Sequence, residues 1–338
     1  MIHEKVLIVC EESKYTELSA AMFSEAINEN VILLDHVFHK PISSFQKIIF
    51  SNKIKSVTKF FVSQIFWNEF QVISQLKKMN IDGTQPIYLM FLSPSLQKYY
   101  TEELIKKIKQ KYPTVRTGIL FIDPAFMQQA ANALELALNT DIFDVIYSFD
   151  KNDAEKYGFR YVDTPYSCYQ GNKKESEYDL YFCGSVKGRA ELLKDINNRL
   201  EDNISCCWNI FSNKSTKQDE IEMIQSFTQC RSSSEVLPYS EVLKRTMRAN
   251  CILDVVQDGQ AGNTVRYYEA VCNNKKLLTN NKTVLTSKYY DPQYIQYFSK
   301  AEDIDVDWIK EPCKVNFGYQ GEFSPEVLIK KFISDCGR

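Results

Sequence analysis

Glycine is scarce in this chain, with 11 in 338 residues, where an average protein carries about 7%. A chain this poor in glycine keeps it for places where the backbone needs it. Four of the eleven fall in two short loops, Gly184/Gly188 and Gly259/Gly262, whereas the first 150 residues hold only Gly83 and Gly118. Histidine is scarcer still: His3, His36 and His39 are the three, and none has a partner at zinc-ligand spacing. The ten cysteines form no CxxC pair, so they read as buried thiols and not as a disulfide or metal framework. No apolar run approaches the ~18 residues of a membrane span. The apolar run Val6-Leu7-Ile8-Val9 is too short for the core of a secretory leader, so a cytoplasmic location is expected. A formal net charge of −2 argues against nucleic acid as the partner.

What is present is enough for a real core. The chain is 44% hydrophobic and 25% charged, and its length suits two domains of roughly 150 residues. In the first half, apolar runs at 5–9, 31–34, 59–62, 87–92, 117–122 and 145–147 predict strands, and patterns at 17–27, 68–79, 101–112 and 124–138 predict helices. That alternation is the signature of βαβ units and a parallel sheet. A polar stretch at 166–178 interrupts it and reads as a linker. The alternation then resumes: strands at 179–183, 205–211, 251–256 and 276–279, with helices at 189–200, 240–248 (Ser240 as cap) and 263–272. Ser324-Pro325 starts a last helix. The expected layout is a first domain over 1–165, the linker, a second domain over 179–322, and a closing helix within 323–338.

One segment departs from charge balance. Residues 40–116 carry thirteen Lys or Arg against four Asp or Glu. Within it, residues 45–66 interleave Lys47, Lys53, Lys55 and Lys59 with Phe45, Phe50, Phe60, Phe61 and Phe66. Such a stretch can rest on an anionic membrane surface, or it is an ordinary helix and strand with solvated lysines.

The two glycine loops carry the chemistry. The first, around Gly184-Ser-Val-Lys187-Gly188-Arg189, lies where a strand ends and a helix opens. Free N–H groups and the helix dipole favour a phosphate there, and Lys187 and Arg189 add charge. The Gly-x-Gly-x-x-Gly spacing of dinucleotide sites is absent. The second loop runs Gln257-Asp-Gly259-Gln-Ala-Gly262-Asn263-Thr264-Val-Arg266-Tyr-Tyr-Glu269. Amide N–H groups from Gly262 onward and the Thr264 hydroxyl can cradle a diphosphate. Arg266 sits on the first helical turn and can reach the same anion. Glu269 can accept hydrogen bonds from ribose hydroxyls; the plainer alternative is an i,i+3 ion pair between the two.

The string ILDVVQDGQAGNTVRYYEAVCNNKKLLTNN resembles the donor-site segment of bacterial GT-B glycosyltransferases from capsule and lipopolysaccharide gene clusters. Residues 146–166 and 178–193 are similar to that group's segments at the end of the first domain and the start of the second. The resemblance covers roughly residues 144–335. It implies an α/β protein of two Rossmann-like domains facing a cleft, with the C-terminal helix returning to the first domain. It implies a nucleotide-sugar donor on the second domain, with Gly184, Arg189, Gly262, Asn263, Thr264 and Arg266 at the diphosphate. Tyr239 would lie near the base and Glu269 at the ribose. The acceptor would be a glycan, lipid-linked at the inner membrane face. A GT-B-type nucleotide-sugar epimerase and a non-catalytic nucleotide-sugar-binding protein are the alternatives.

The chain departs from the retaining members of the group, which carry Glu-x7-Glu: eight residues before Glu269 stands Ala261. Its one Asp-x-Asp string, Asp305-Val306-Asp307, reads as an acidic turn, so no metal and no other cofactor is expected. Glycosyl transfer passes through an oxocarbenium-like state, and helix dipoles with Thr264, Arg266 and Arg189 would stabilise the leaving diphosphate. An inverting enzyme also needs a base for the acceptor hydroxyl. Glu11, Glu12, His36 and Asp123, each after a strand of the first domain, are the candidates.

Overall fold

A computed structural model of the chain describes residues 2–10, 16–34, 85–96, 100–127, 130–171, 175–186, 188–212, 216–227, 230–233, 237–256 and 262–337. The chain divides into two units, Met1–Asp163 with Pro325–Arg338, and Thr164–Ser324. The strand expected at 59–62, the helix at 68–79 and the basic, aromatic stretch at 45–66 lie outside the described residues.

The first unit runs β1 (Lys5–Val9), α1 (Thr16–Phe23), β2 (Val31–Leu34), β3 (Ile87–Leu92), α2 (Glu102–Lys111), β4 (Val115–Phe121), α3 (Ala131–Asn139), β5 (Val145–Ser148), α4 (Lys151–Tyr157) and β6 (Arg160–Tyr161). Its sheet has the order β2-β1-β3-β4-β5-β6, with every pairing parallel. Strands buried on both faces read as continuous apolar runs, and β3 (Ile-Tyr-Leu-Met-Phe-Leu) is buried at all six positions. Leu89, Phe91, Ile119 and Phe121 pack with Leu104, Ile105 and Ile108 of α2 and Ala133 of α3.

The second unit runs β7 (Tyr178–Ser185), α5 (Ala190–Leu200), β8 (Cys206–Phe211), α6 (Gln218–Gln225), β9 (Cys230–Ser233), α7 (Tyr239–Met247), β10 (Ala249–Asp254), α8 (Val265–Asn273), β11 (Lys276–Thr279), β12 (Ile295–Tyr297) and α9 (Val306–Lys310). Its sheet, also parallel throughout, has the order β12-β11-β10-β7-β8-β9. Counted from β7, this is the 3-2-1-4-5-6 order of a doubly wound Rossmann sheet, and its order reverses between β7 and β10. On one face Leu180, Phe182, Trp208, Cys251 and Leu253 pack with Leu193 and Ile196 of α5. The stretch 166–178 falls within this unit. Tyr166 is buried at 1% exposure, and its N–H donates to the Phe323 carbonyl at 2.7 Å, pairing the two ends of the unit.

The last helix, α10 (Pro325–Cys336), rejoins the first unit and lies against β4 and β5. Gly118 of β4 makes room for it: a Cβ there would stand 2.5 Å from Cε2 of Phe332. The Asp335 carboxylate accepts from the Tyr147 hydroxyl at 2.6 Å and pairs with Arg160 at 2.6 Å and Lys331 at 2.9 Å. Burial alone would raise the Asp335 carboxyl; those three donors outweigh it and hold it well below the usual carboxylate range.

Two local expectations change. Ser240 does not cap α7; the N-cap is Pro238, whose carbonyl receives the Glu241 and Val242 N–H groups. Proline sets the φ of the entry and leaves the serine inside the first turn. Asp305 and Asp307 are exposed, as an acidic turn would be, but Asp305 also caps: its carboxylate accepts from the Asp307 and Trp308 N–H groups and opens α9. Of the cysteines expected to be buried, Cys10, Cys183, Cys206, Cys251, Cys272 and Cys336 are buried, whereas Cys168, Cys207 and Cys313 are half-buried; desolvation pushes the Cys206 thiol up to about 12. Among the described residues no helix is long and apolar enough to cross a membrane.

Candidate functional site

The switch point of the second sheet lies between the carboxyl ends of β7 and β10, where open α/β sheets bind ligands. Both glycine loops leave from there. β7 ends at Gly184-Ser185 and β10 at Asp254. The register continues a polar row across four strands. Asp254 pairs with Thr279 of β11, Cys183 pairs with Asn209 of β8, and Asp254 stands one step past the Leu253–Phe182 pair, beside Cys183. All four are buried.

Asp254 was not singled out by the sequence, although an acid closing the apolar run Cys-Ile-Leu is the signal that marks it. It is 3% exposed. Burial raises its carboxyl, opposed by hydrogen bonds from the Thr264 and Thr279 hydroxyls and by the charges of Arg189 and Arg266. The Thr279 bond is 3.0 Å. One buried carboxylate thus touches the field of both loops.

The β10–α8 side is built around Thr264. It is the N-cap of α8 in extended geometry, and its hydroxyl accepts the Arg266 N–H at 3.1 Å. Thr264 also takes the Tyr267 N–H on its carbonyl, and the helix dipole at this end favours an anion. Gly262 and Asn263 are held from behind by residues after β11. Asn281 donates to the Gly262 carbonyl at 3.1 Å, and the Thr283 hydroxyl, which donates to Asn281 Oδ1 at 2.6 Å, lies 3.1 Å from Asn263 Oδ1. Asn280 Oδ1 receives the Val256 N–H at 2.7 Å. The asparagines of the Thr-Asn-Asn segment therefore shape the loop's base, a role for which periodicity gave no signal. Residues 257–261, with Gly259, lie outside the described residues.

Arg266 and Glu269 meet as an ion pair, Nη1 to Oε2, with Glu269 fully buried. Burial works against the Arg266 cation, but Glu269 together with Cys183, Tyr239 and Tyr181 outweighs it and keeps the guanidinium charged. The other Glu269 oxygen accepts the Tyr239 hydroxyl, and Tyr239 in turn lies 3.1 Å from the Tyr166 hydroxyl. Desolvation raises both phenols well above their ordinary value. Tyr239, Arg266 and Glu269 are thus brought together, with Tyr166 as a member found only in three dimensions. In this arrangement both Glu269 oxygens are engaged by protein donors.

On the β7 side, Arg189 is the N-cap of α5. Its guanidinium folds back over Gly184 and donates to the carbonyls of Ser185, Val186 and Val255. It also lies over the Phe182 ring at 5.8 Å. Burial pushes it down to about 10, with Asp254 opposing. Gly188 takes φ +74°, a left-handed turn suited to glycine. Lys187 lies outside the described residues.

Of the base candidates, Glu11, Glu12 and His36 lie outside the described residues. Asp123 is half-buried in the first unit, two residues beyond β4.

No family model matches the chain, and no curated protein matches it. Solved structures do. An α-glucosyltransferase in complex with UDP and a 13-mer DNA aligns with a TM-score of 0.60 at 12% identity, over 99% of this chain and 100% of that one. A UDP-N-acetylglucosamine 2-epimerase from Rickettsia bellii aligns at TM-score 0.47 and 13% identity, over 99% and 96%. The T4 phage enzyme BGT with UDP-glucose aligns at 0.46 and 13%, over 98% and 93%. At these identities the likeness is one of fold: two Rossmann-like α/β domains of the GT-B kind.

Proposed function

We propose that the chain is a glycosyltransferase whose second unit holds a nucleoside diphosphate sugar at the β7/β10 switch point. The observation that carries this reading is the convergence there of the Thr264-capped helix start, the Arg266–Glu269 pair and the Asp254 row. The fold shared with a glucosyltransferase along the whole chain supports it. The diphosphate would sit at the start of α8, in the field of the helix dipole, with Arg266 facing it. As the sugar leaves, charge grows on that diphosphate, and preorganised dipoles at a fixed helix start stabilise it without rearrangement. The ribose diol would take Glu269 by displacing the Tyr239 hydroxyl from Oε1. We further propose metal-independent transfer and a base from the first unit, Asp123 among the candidates. The acceptor we propose is a lipid-linked glycan of bacterial surface polysaccharide, with residues 40–116 resting on the cytoplasmic membrane face; these finer points rest on the sequence resemblance and charge pattern.

Calorimetric titration of UDP and UDP-glucose, with and without EDTA, tests the donor reading. Saturable binding that EDTA leaves unchanged and that Glu269→Ala abolishes is the expected result. No binding of any nucleoside diphosphate, or stabilisation by NAD or ATP alone, overturns it. Turnover followed by NMR separates the chemistries: a new glycosidic linkage or slow donor hydrolysis supports transfer, whereas inversion at C2 of UDP-N-acetylglucosamine identifies an epimerase.

A further inference from the structure

Arg189 is the residue whose geometry departs from the role that the family resemblance gave it. A guanidinium has five N–H donors in a rigid fork. Here three are turned toward backbone carbonyls: Nε to Val186 at 3.3 Å, with Nη2 on Ser185 and Nη1 on Val255. Ser185 and Val186 leave β7, and Val255 leaves β10, so one side chain bridges the two exits on either side of the switch point. A second observation agrees. Gly184 is not in a left-handed conformation, yet a Cβ there would stand 3.2 Å from Nη2 of Arg189 and 3.0 Å from the Phe182 ring. Glycine at 184 is what lets the guanidinium lie back across the strand end.

We propose that Arg189 is a positioning residue: it clips the β7 and β10 exits together and so sets the width of the crevice that receives the nucleoside diphosphate, without contacting the phosphates itself. This rests on the donor reading above. The clip needs the fork: its donors sit on three separate nitrogens, whereas an ammonium presents its three N–H groups from a single point. A phosphate ligand needs only the charge, which lysine supplies well.

The test uses UDP as the probe, titrated into the full chain well below its melting temperature. The variants are Arg189→Met, Arg189→Lys, Gly184→Ala and the double variant Gly184→Ala/Arg189→Met. Both Arg189 variants are expected to weaken UDP binding about tenfold, because the crevice loses its preorganised width. Gly184→Ala should weaken it in the same direction, and the double variant should bind no worse than Arg189→Met. If Arg189→Met does not fold, Arg189→Lys and Gly184→Ala carry the test. Wild-type affinity in Arg189→Lys overturns the proposal, because charge then suffices. So do fully additive losses in the double variant, and so does unchanged UDP affinity alongside a lowered melting temperature. Absence of binding of any nucleoside diphosphate to the wild type overturns the donor reading itself, and this is seen before any variant is made.

Discussion

Lys276 opens β11 at 1% exposure, a position where an unpaired cation would be costly. Its ammonium donates to the Trp308 and Glu311 carbonyls, both at 2.6 Å, and lies 4.8 Å from the Trp308 ring centroid. It therefore satisfies carbonyls at the end of α9. Lys276→Met fills the same space but leaves those carbonyls bare, and is expected to cost about 2–3 kcal/mol in urea unfolding. Asp335 sets a pH dependence of definite sign. Its folded carboxyl is held below the unfolded value of about 3.9. The stabilisation is therefore present above about pH 4 and is lost as pH falls toward and through the depressed folded value. Asp335→Asn should lower stability at pH 7 by about 2 kcal/mol, since its cationic partners are partly exposed. It should also flatten the acid limb of a stability–pH curve relative to the wild type.

Helix starts divide into those held by a side chain and those that are not. Thr264 receives an N–H of its own helix, so Thr264→Ala should cost about 1 kcal/mol. Ser240→Ala should stay within about 0.5 kcal/mol, because no cap is lost there; equal losses in chemical denaturation would contradict the assignment of Pro238 as N-cap. This pair also shows what was legible in the sequence. Apolar runs of four to eight residues located the strands because burial on both faces leaves an unbroken stretch: Ile87–Leu92 and Lys276–Thr279 agree to the residue. Helix entries were harder, because Ser240 has the right chemistry but Pro238 already sets the backbone. The glycine loops and the helix that follows the second of them were visible because they are local. Asp254, Asn281 and Tyr166 were not, since their partners arrive from other strands and loops. Tyr166 and Tyr239 are 73 residues apart in sequence, beyond the reach of any periodicity.

Each unit has its own parallel sheet and its own apolar cluster, so a defect in one should be readable apart from the other. Gly118→Ala forces a methyl against Phe332, an overpacking expected to cost about 2 kcal/mol. Hydrogen exchange should report faster opening of β4, β5 and α10, with peptides of 164–324 unchanged. Phe332→Leu in the same chain should recover part of the loss. Accelerated exchange spread evenly over both units would show that they unfold as one.

The return of α10 to the first unit also orders events during synthesis. The helix that covers β4 and β5 and supplies Asp335 to Tyr147 and Arg160 is made only after every residue of the second unit. Domains generally fold as units as the chain emerges, earlier ones first; here the earlier unit must wait. Until α10 is made, β4 and β5 lack the contacts of Phe332 and Asp335. For that interval the surface around Gly118 and Tyr147 is a chaperone's concern, and the last helix acts as the latch that ends it.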